Sequence, residues 1–202
     1  MTRKPLLAAL FFFAITLRVS AQLPEKAEDI SPLLIGESFP DENLVNLKGD
    51  GVSILDLVKE KPTVVIFYRG GWCPYCNRHL AEIGQREEEI LSLGYQVLAV
   101  SPDKAEKLRE TADKNELKYR LFSDEGGVLA KAVGIAFDAP GIVKSRLKNF
   151  SDGKNEGYLP VPSVFVLNTG GEILFEYINP DYKQRIGGDL LLAVLTALKG
   201  EG

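Results

Sequence analysis

The chain has 202 residues, 45% of them hydrophobic, and a formal net charge of −4 at pH 7. Such a length and composition suit one domain with a full hydrophobic core, and a mildly acidic chain without a basic cluster argues against nucleic acid as a partner. We therefore predict one folded domain over residues 33–202 that does not act on nucleic acid.

The N-terminus has the pattern of a signal peptide. After two basic residues, an uncharged apolar stretch covers residues 6–17, and Val19-Ser20-Ala21 supplies the small residues that a signal peptidase recognises. The apolar stretch is shorter than the about 20 residues of a membrane span, although an uncleaved anchor is the alternative because Arg18 interrupts the cleavage region. We predict a signal peptide over 1–21, a loose leader over 22–32, no stable membrane insertion after cleavage, and export to the periplasm or the extracellular space.

The first elements are predicted by alternating apolar residues and turn signals. Leu44 to Leu47 and Val52 to Leu55 flank the turn residues Gly49-Asp50-Gly51, which is typical of a β-hairpin. Thr63 to Tyr68 is an unbroken β-branched and aromatic run, as expected of a strand that is buried on both faces. A helix is predicted over 73–93.

The second half continues the alternation of strands and helices. The stretch from Gly134 to Tyr158 has no clear period and is predicted as a long surface insertion. The other predicted elements are a strand over 95–100, a helix over 103–117, a strand over 119–122, a helix over 127–133, a hairpin of 164–167 with 172–178, and a helix over 190–198. This order predicts an α/β protein with a thioredoxin fold, in which a mixed central sheet has helices on both faces and an N-terminal β-hairpin extension.

The two cysteines of the chain, Cys73 and Cys76, lie where a buried strand passes into a helix. A thiol at a helix N-terminus faces unpaired backbone N–H groups and the positive end of the helix dipole, which lower its pKa. The two intervening residues put both sulfurs on one side of the first turn, so that one can attack and the other can resolve. Pro74 suits this turn because its missing N–H would have no intrahelical partner there. We predict a redox-active pair.

The cysteine pair has three other interpretations. A disulfide that serves only as a staple would normally close a longer loop than this one. A zinc site needs four ligands, and the chain offers two cysteines and one histidine. We therefore expect neither a metal nor a cofactor. A third alternative is a non-enzymatic binding module on the same scaffold, in which the pair would be unreactive or permanently oxidised.

Several residues around the pair are candidates for supporting roles. Pro162 leads directly into a predicted central strand, where a proline is unfavourable unless it marks a tight turn, and we predict a cis bond there. Trp72 is predicted to shape a docking rim, with simple packing as the alternative. Arg69 is predicted to lower a thiol pKa, unless it is an ordinary surface arginine. His79, three residues after Cys76, is predicted to be a solvent-exposed helix residue, with a charge held near the thiolate as the alternative.

Parts of the chain resemble two known groups of proteins. Similarity to the alkyl hydroperoxide reductase and thiol-specific antioxidant family covers most of residues 33–178 and is carried by Phe39-Pro40-Asp41, residues 64–68, Val97-Leu98-Ala99-Val100-Ser101 with Asp103, and Leu121-Phe122-Ser123-Asp124 with Gly126. Gly71 to Cys76 resembles thioredoxin and glutaredoxin active sites, and Val161 to Phe165 resembles their cis-proline segment. The acidic residue that thioredoxins bury in the preceding strand is replaced by Phe67, so the resemblance supplies no proton acceptor. The nearest match is a bacterial peroxiredoxin-like subgroup that carries a Cys-Pro-Tyr-Cys pair.

The family resemblance also shows departures. The peroxiredoxin motif Pro-X-X-X-Thr-X-X-Cys, placed without gaps, puts Cys76 at the peroxidatic position, while Arg69 replaces the proline and Cys73 replaces the threonine. Pro162 stands where the family has an arginine. We therefore predict thiol–disulfide exchange first, in which Cys73 attacks and Cys76 resolves, with a protein dithiol or disulfide as the partner. The alternative is a hydroperoxide reductase in which Cys76 attacks and Cys73 resolves.

Overall fold

The computed structural model describes residues 22–200, so the predicted signal peptide lies outside the described residues. The strands are β1 (Asn43–Val45), β2 (Gly51–Ser53), β3 (Thr63–Phe67), β4 (Gln96–Ser101), β5 (Arg120–Ser123), β6 (Ala136–Asp138), β7 (Tyr158–Pro160), β8 (Ser163–Leu167) and β9 (Ile173–Ile178). The helices are α1 (Ile54–Val58), α2 (Pro74–Gln85), α3 (Glu87–Ser92), α4 (Ala105–Lys114), α5 (Val128–Ala132), α6 (Gly141–Phe150) and α7 (Gly188–Lys199). None of these helices is both long and apolar enough to cross a membrane.

A mixed sheet of seven strands, in the order β2-β1-β5-β4-β3-β8-β9, forms the centre of the described residues. The strands β3, β4 and β5 are parallel, whereas β8 pairs antiparallel with β3 and β9 pairs antiparallel with β8. The hairpin of β1 and β2 joins the other edge through an antiparallel contact with β5. The predicted mixed sheet, the N-terminal hairpin and the hairpin of β8 with β9 are confirmed.

The strand β3 is buried along its whole length, as its unbroken apolar sequence predicts. Val65 and Phe67 pack in a core with side chains of α1 and α5, whereas Val64 and Ile66 pack in a second core with α2, α3, α4 and α7. Successive side chains of a strand point to opposite faces, so both faces need helices. Each fully buried side chain of this size contributes about 1.5–3 kcal/mol. The predicted helices on both faces are confirmed.

Two stretches differ from the prediction. The helix predicted over 73–93 is broken at Arg86, whose φ of −101° and ψ of 1° separate α2 from α3. The surface insertion predicted over 134–158 instead contains β6 and α6 and ends at β7, which pairs with β6. Because Leu147 is the one buried residue of α6, the sequence of this helix lacks the apolar stripe that would have predicted it.

Residues 22–32, predicted as a loose leader, lie against the domain. Leu23 and Ile30 pack against the core that contains α1 and α5. The backbone N–H of Asp138 donates to the carbonyl of Pro24 at 2.7 Å. The segment is too polar for its sequence alone to indicate these contacts.

Candidate active site

Cys73 is the N-cap residue of α2, and Pro74 follows it in the first turn, where the sequence placed it. The carbonyl of Cys73 accepts the N–H of Asn77 at 3.1 Å, which begins the helix. An N-cap side chain normally uses an oxygen to accept a backbone N–H of the first turn. The side chain of Cys73 makes no such cap hydrogen bond, but the nearby backbone N–H of Cys76 lowers the pKa of its thiol. The helix N-terminus therefore stabilises a negative charge on this sulfur.

The two thiols have opposite pKa shifts. The hydrogen bond from the Cys76 thiol lowers the pKa of Cys73 to about 6, and the backbone N–H of Cys76 acts in the same direction. The charges of Arg69 and Arg185 lower the pKa of Cys73 further. Burial raises the pKa of Cys76, and its hydrogen bond to Cys73 adds to this effect. Near neutral pH the pair therefore holds a thiolate on Cys73 and a protonated thiol on Cys76.

We expect the alkylation rate of Cys73 by iodoacetamide to rise with pH through a midpoint near 6, because only the thiolate is nucleophilic and its pKa is lowered to about 6. The rate would be measured by mass spectrometry on the reduced protein, from acidic to mildly alkaline pH. The Cys76→Ala variant isolates Cys73 and removes the hydrogen-bond donor beside it, so its midpoint should lie higher. A wild-type midpoint at about 8.5, the pKa of an ordinary cysteine, would contradict the assignment.

Two arginines bring positive charge to the pair from different parts of the chain. Nη2 of Arg185 lies 3.7 Å from Sγ of Cys76, although 109 residues separate them in sequence. Arg185 belongs to the segment between β9 and α7 and was not predicted, since no local pattern marks it. Arg69 was predicted, and its guanidinium carbon lies 4.2 Å from the centre of the Tyr182 ring. A guanidinium packed on an aromatic ring is held in place while its charge is kept.

The loop before Cys73 is fixed by hydrogen bonds to both the N–H and the carbonyl of Gly71. The N–H of Gly71 donates to Oδ2 of Asp103 at 2.6 Å, and Nδ2 of Asn77 donates to the Gly71 carbonyl at 2.8 Å. A Cβ on Gly71 would lie 1.9 Å from Oγ1 of Thr111, so the loop needs a glycine there. Asp103 is fully buried, and burial raises the pKa of its carboxyl to about 7. The sequence marked Asp103 only as part of the family resemblance.

The prediction that His79 is exposed to solvent is wrong. Its exposed fraction is 4%, and burial, followed by the charge of Arg185, lowers the pKa of its imidazole to about 4. The backbone of Ile186 also contacts it, so the segment between β9 and α7 covers this face of α2. Helical spacing alone could not place that segment. Within residues 22–200, no three His, Cys, Asp or Glu side chains are grouped so that they could hold a metal ion.

Pro162 precedes β8, but its predicted cis bond is wrong, because every peptide bond within residues 22–200 is trans. The trans form of an X–Pro bond is favoured by about 0.5–1 kcal/mol. The last register pair of β3 and β8 joins Phe67 to Ser163, so Pro162 lies just beyond the ladder, opposite Tyr68. Because Pro162 lies beyond the last register pair, the ladder of β3 and β8 does not require an N–H from this residue. Pro162 shares the sheet end from which the active-site loop emerges.

Known proteins resemble the chain in sequence and in fold. The AhpC/TSA family matches residues 35–175. The chloroplastic peroxiredoxin Q of Sedum lineare is 32% identical over 164 residues, which cover 81% of this chain and 78% of that protein. Peroxiredoxin Bcp of Escherichia coli K12 is 26% identical over 163 residues, which cover 81% of this chain and 96% of that protein.

A solved structure supports the fold. Reduced Prx3 of Vibrio vulnificus, crystallised in complex with H2O2, superposes with a TM-score of 0.70 at 16% identity and covers 81% of this chain and 99% of that chain. Because the identity is low, this likeness concerns the fold and not the reaction. It confirms the thioredoxin fold that the order of elements predicted.

Proposed function

Since the chain belongs to the AhpC/TSA family, we propose that it is a thiol peroxidase that reduces hydroperoxides through Cys73 and Cys76. The observation that carries this proposal is the lowered pKa of Cys73 beside a protonated Cys76, with two arginines close by. The predicted signal peptide adds the proposal that the reaction takes place in the periplasm or outside the cell.

The proposed reaction has two steps in the protein. The Cys73 thiolate attacks one peroxide oxygen, so that an S–O bond forms as the O–O bond breaks. The sulfur loses two electrons and becomes a sulfenic acid, while the other oxygen leaves and takes a proton as an alcohol or water. The Cys76 thiol then attacks the sulfenic sulfur, which forms the disulfide and releases water. An external dithiol returns two electrons and two protons to the pair.

Positive charge near the pair supports the first step. Negative charge grows on the departing oxygen as the O–O bond breaks, and fixed hydrogen-bond donors beside that oxygen stabilise the charge. Arg185, which lies 3.7 Å from the Cys76 sulfur, and Arg69 are the cations available there. They supply the charge that the family obtains from an arginine at the position of Pro162.

The roles that we propose for the two sulfurs differ from those that the ungapped motif assigns. The motif assigns the attack to Cys76, but burial raises the pKa of this thiol, which disfavours the thiolate that attack requires. Cys73 has the lowered pKa and the helix N-terminus. In our proposal, Cys73 therefore attacks and Cys76 resolves.

Stopped-flow mixing of the reduced protein with hydrogen peroxide tests the proposal. Trp72 is the only tryptophan and adjoins Cys73, so its fluorescence reports oxidation of the pair. We expect one equivalent of peroxide to be consumed for two thiols lost, and a rate constant far above that of dithiothreitol at the same thiolate concentration. Equal rate constants for the protein and for dithiothreitol would overturn the proposal.

Thiol–disulfide exchange is a second candidate function. It is favoured by the Cys-Pro-Tyr-Cys sequence at a helix N-terminus with the lowered pKa on its first cysteine. In this reaction Cys73 attacks a substrate disulfide, and Cys76 resolves the mixed disulfide. Insulin reduction with dithiothreitol as donor measures it, and a rate that is high while the peroxide rate stays ordinary would make exchange the main activity.

A further inference from the structure

Three arginines and three aromatic rings form a continuous row beside the thiol pair, which we call the arginine–aromatic row. In spatial order, its members are Arg146, Trp72, Arg69, Tyr182, Tyr75 and Arg78. The successive separations, from guanidinium carbon to ring centre or between ring centres, are 5.4, 5.1, 4.2, 5.6 and 5.9 Å. The members come from α6, the loop before α2, the segment between β9 and α7, and α2 itself.

The arginines of the row have no carboxylate partner among residues 22–200. Neither they nor Arg185 have a carboxylate oxygen within 4.0 Å, whereas Arg86 and Arg120, elsewhere on the surface, both form ion pairs. Two neighbouring acidic groups are engaged with backbone N–H groups, since Asp181 accepts from Lys183 and Glu82 accepts from Gly188. The chain as a whole is acidic, with a net charge of −4. Uncompensated positive charge is therefore concentrated at the redox pair.

We propose that the arginine–aromatic row docks a protein dithiol whose cysteines are surrounded by aspartate and glutamate. A guanidinium stacked on a ring keeps its N–H edge free for bidentate contact with a carboxylate. Four cations, with Arg185 included, exceed what one carboxylate can neutralise, which favours a polypeptide with several carboxylates. Cys73 is only 1% exposed and packs in one cluster with Trp72 and Tyr75, so a partner that reaches its sulfur contacts the row.

The docked partner would supply the reductant of the proposed peroxidase, and in this sense the inference rests on the proposed function. A partner thiolate attacks the Cys73 sulfur of the Cys73–Cys76 disulfide, and Cys76 leaves as a thiolate that takes a proton. The second partner thiol then attacks the mixed disulfide, which releases Cys73 and leaves the partner oxidised to its own disulfide. Two electrons thus pass from the partner to the pair.

Two synthetic dithiol peptides of equal length test the charge preference. Both contain Cys-X-X-Cys, which is flanked by glutamates in one and by lysines in the other. The full-length protein is first oxidised with diamide, and its reduction is followed by the rate of the Trp72 fluorescence change. We expect the acidic peptide to react about tenfold faster at low ionic strength, since complementary charge steers association. Added sodium chloride should diminish this advantage.

The double variant Arg78→Glu/Arg146→Glu reverses the charge at both ends of the row and should abolish the preference for the acidic peptide. Lys26→Glu/Lys48→Glu makes the same change in net charge at exposed lysines outside the row and should preserve it. Equal rates of both peptides with the wild-type protein, or an equal loss of preference in both variants, would overturn the proposal. Peroxide turnover with dithiothreitol, an uncharged dithiol, tests the peroxidase activity separately. A failure of the docking proposal can therefore be distinguished from a failure of the proposed peroxidase function.

Discussion

Cys73→Ser should lose the fast reaction with hydrogen peroxide by about 10³-fold or more, the scale expected when a nucleophile is removed. Cys76→Ser should keep that fast phase, because the thiolate of Cys73 and the charges of Arg69 and Arg185 remain. Its reaction should stop at the sulfenic acid, however, since no second thiol is present to form the disulfide. Stopped-flow fluorescence of Trp72, with a sulfenic-acid trap detected by mass spectrometry, separates the two variants.

The two variants also test the assignment of roles. Serine is close to cysteine in size, so circular dichroism should show both variants folded like the wild type. If the fast phase survived in Cys73→Ser and disappeared in Cys76→Ser, then Cys76 would be the attacking sulfur, as the ungapped motif suggests. That result would mean that the buried thiol of Cys76 ionises during the reaction despite its raised pKa.

Gly70→Ala should lower the free energy of unfolding by about 2–4 kcal/mol, from backbone strain together with overpacking. Gly70 has a φ of +135°, a backbone conformation that residues with a side chain rarely adopt. An added Cβ would lie 2.4 Å from Nε1 of Trp72 and 2.7 Å from Oδ1 of Asp103. Since Asp103 is fully buried and cannot move aside freely, the loop before Cys73 must shift. Urea unfolding measures the stability, and the peroxide rate of the folded fraction should fall with it.

Gly49→Ala is the matched control for this substitution. Gly49 has a φ of +94°, but a Cβ there would meet no atom within 4 Å. Gly49→Ala should therefore lower the free energy of unfolding only through its unfavourable backbone conformation, by about 1 kcal/mol. The peroxide rate should not change. Equal losses in the two variants would show that the contacts of Gly70 with Trp72 and Asp103 do not restrain the loop.

The cysteine pair and the sheet could be predicted because their signals are local. The buried run of β3 and the turn residues of two hairpins lie within a few positions, and the spacing of Cys73 and Cys76 at a helix start is equally compact. The environment of His79 and the position of Arg185 could not be predicted, because both depend on a segment about a hundred residues away in the chain. The helix α6 could not be predicted because Leu147 is its one buried residue, so its sequence has no apolar stripe.

Because Asp103 is buried, the stability of the fold and the reactivity of Cys73 should change in opposite directions with pH. Its pKa is about 7 in the folded protein, against about 3.9 for an unfolded chain. Between these values the unfolded chain has released a proton that the folded protein retains, so this group makes the fold less stable as the pH rises. Cys73, in contrast, becomes reactive as the pH rises through about 6. The carboxyl that holds the active-site loop thus favours the fold most in acid, where the thiolate is scarce.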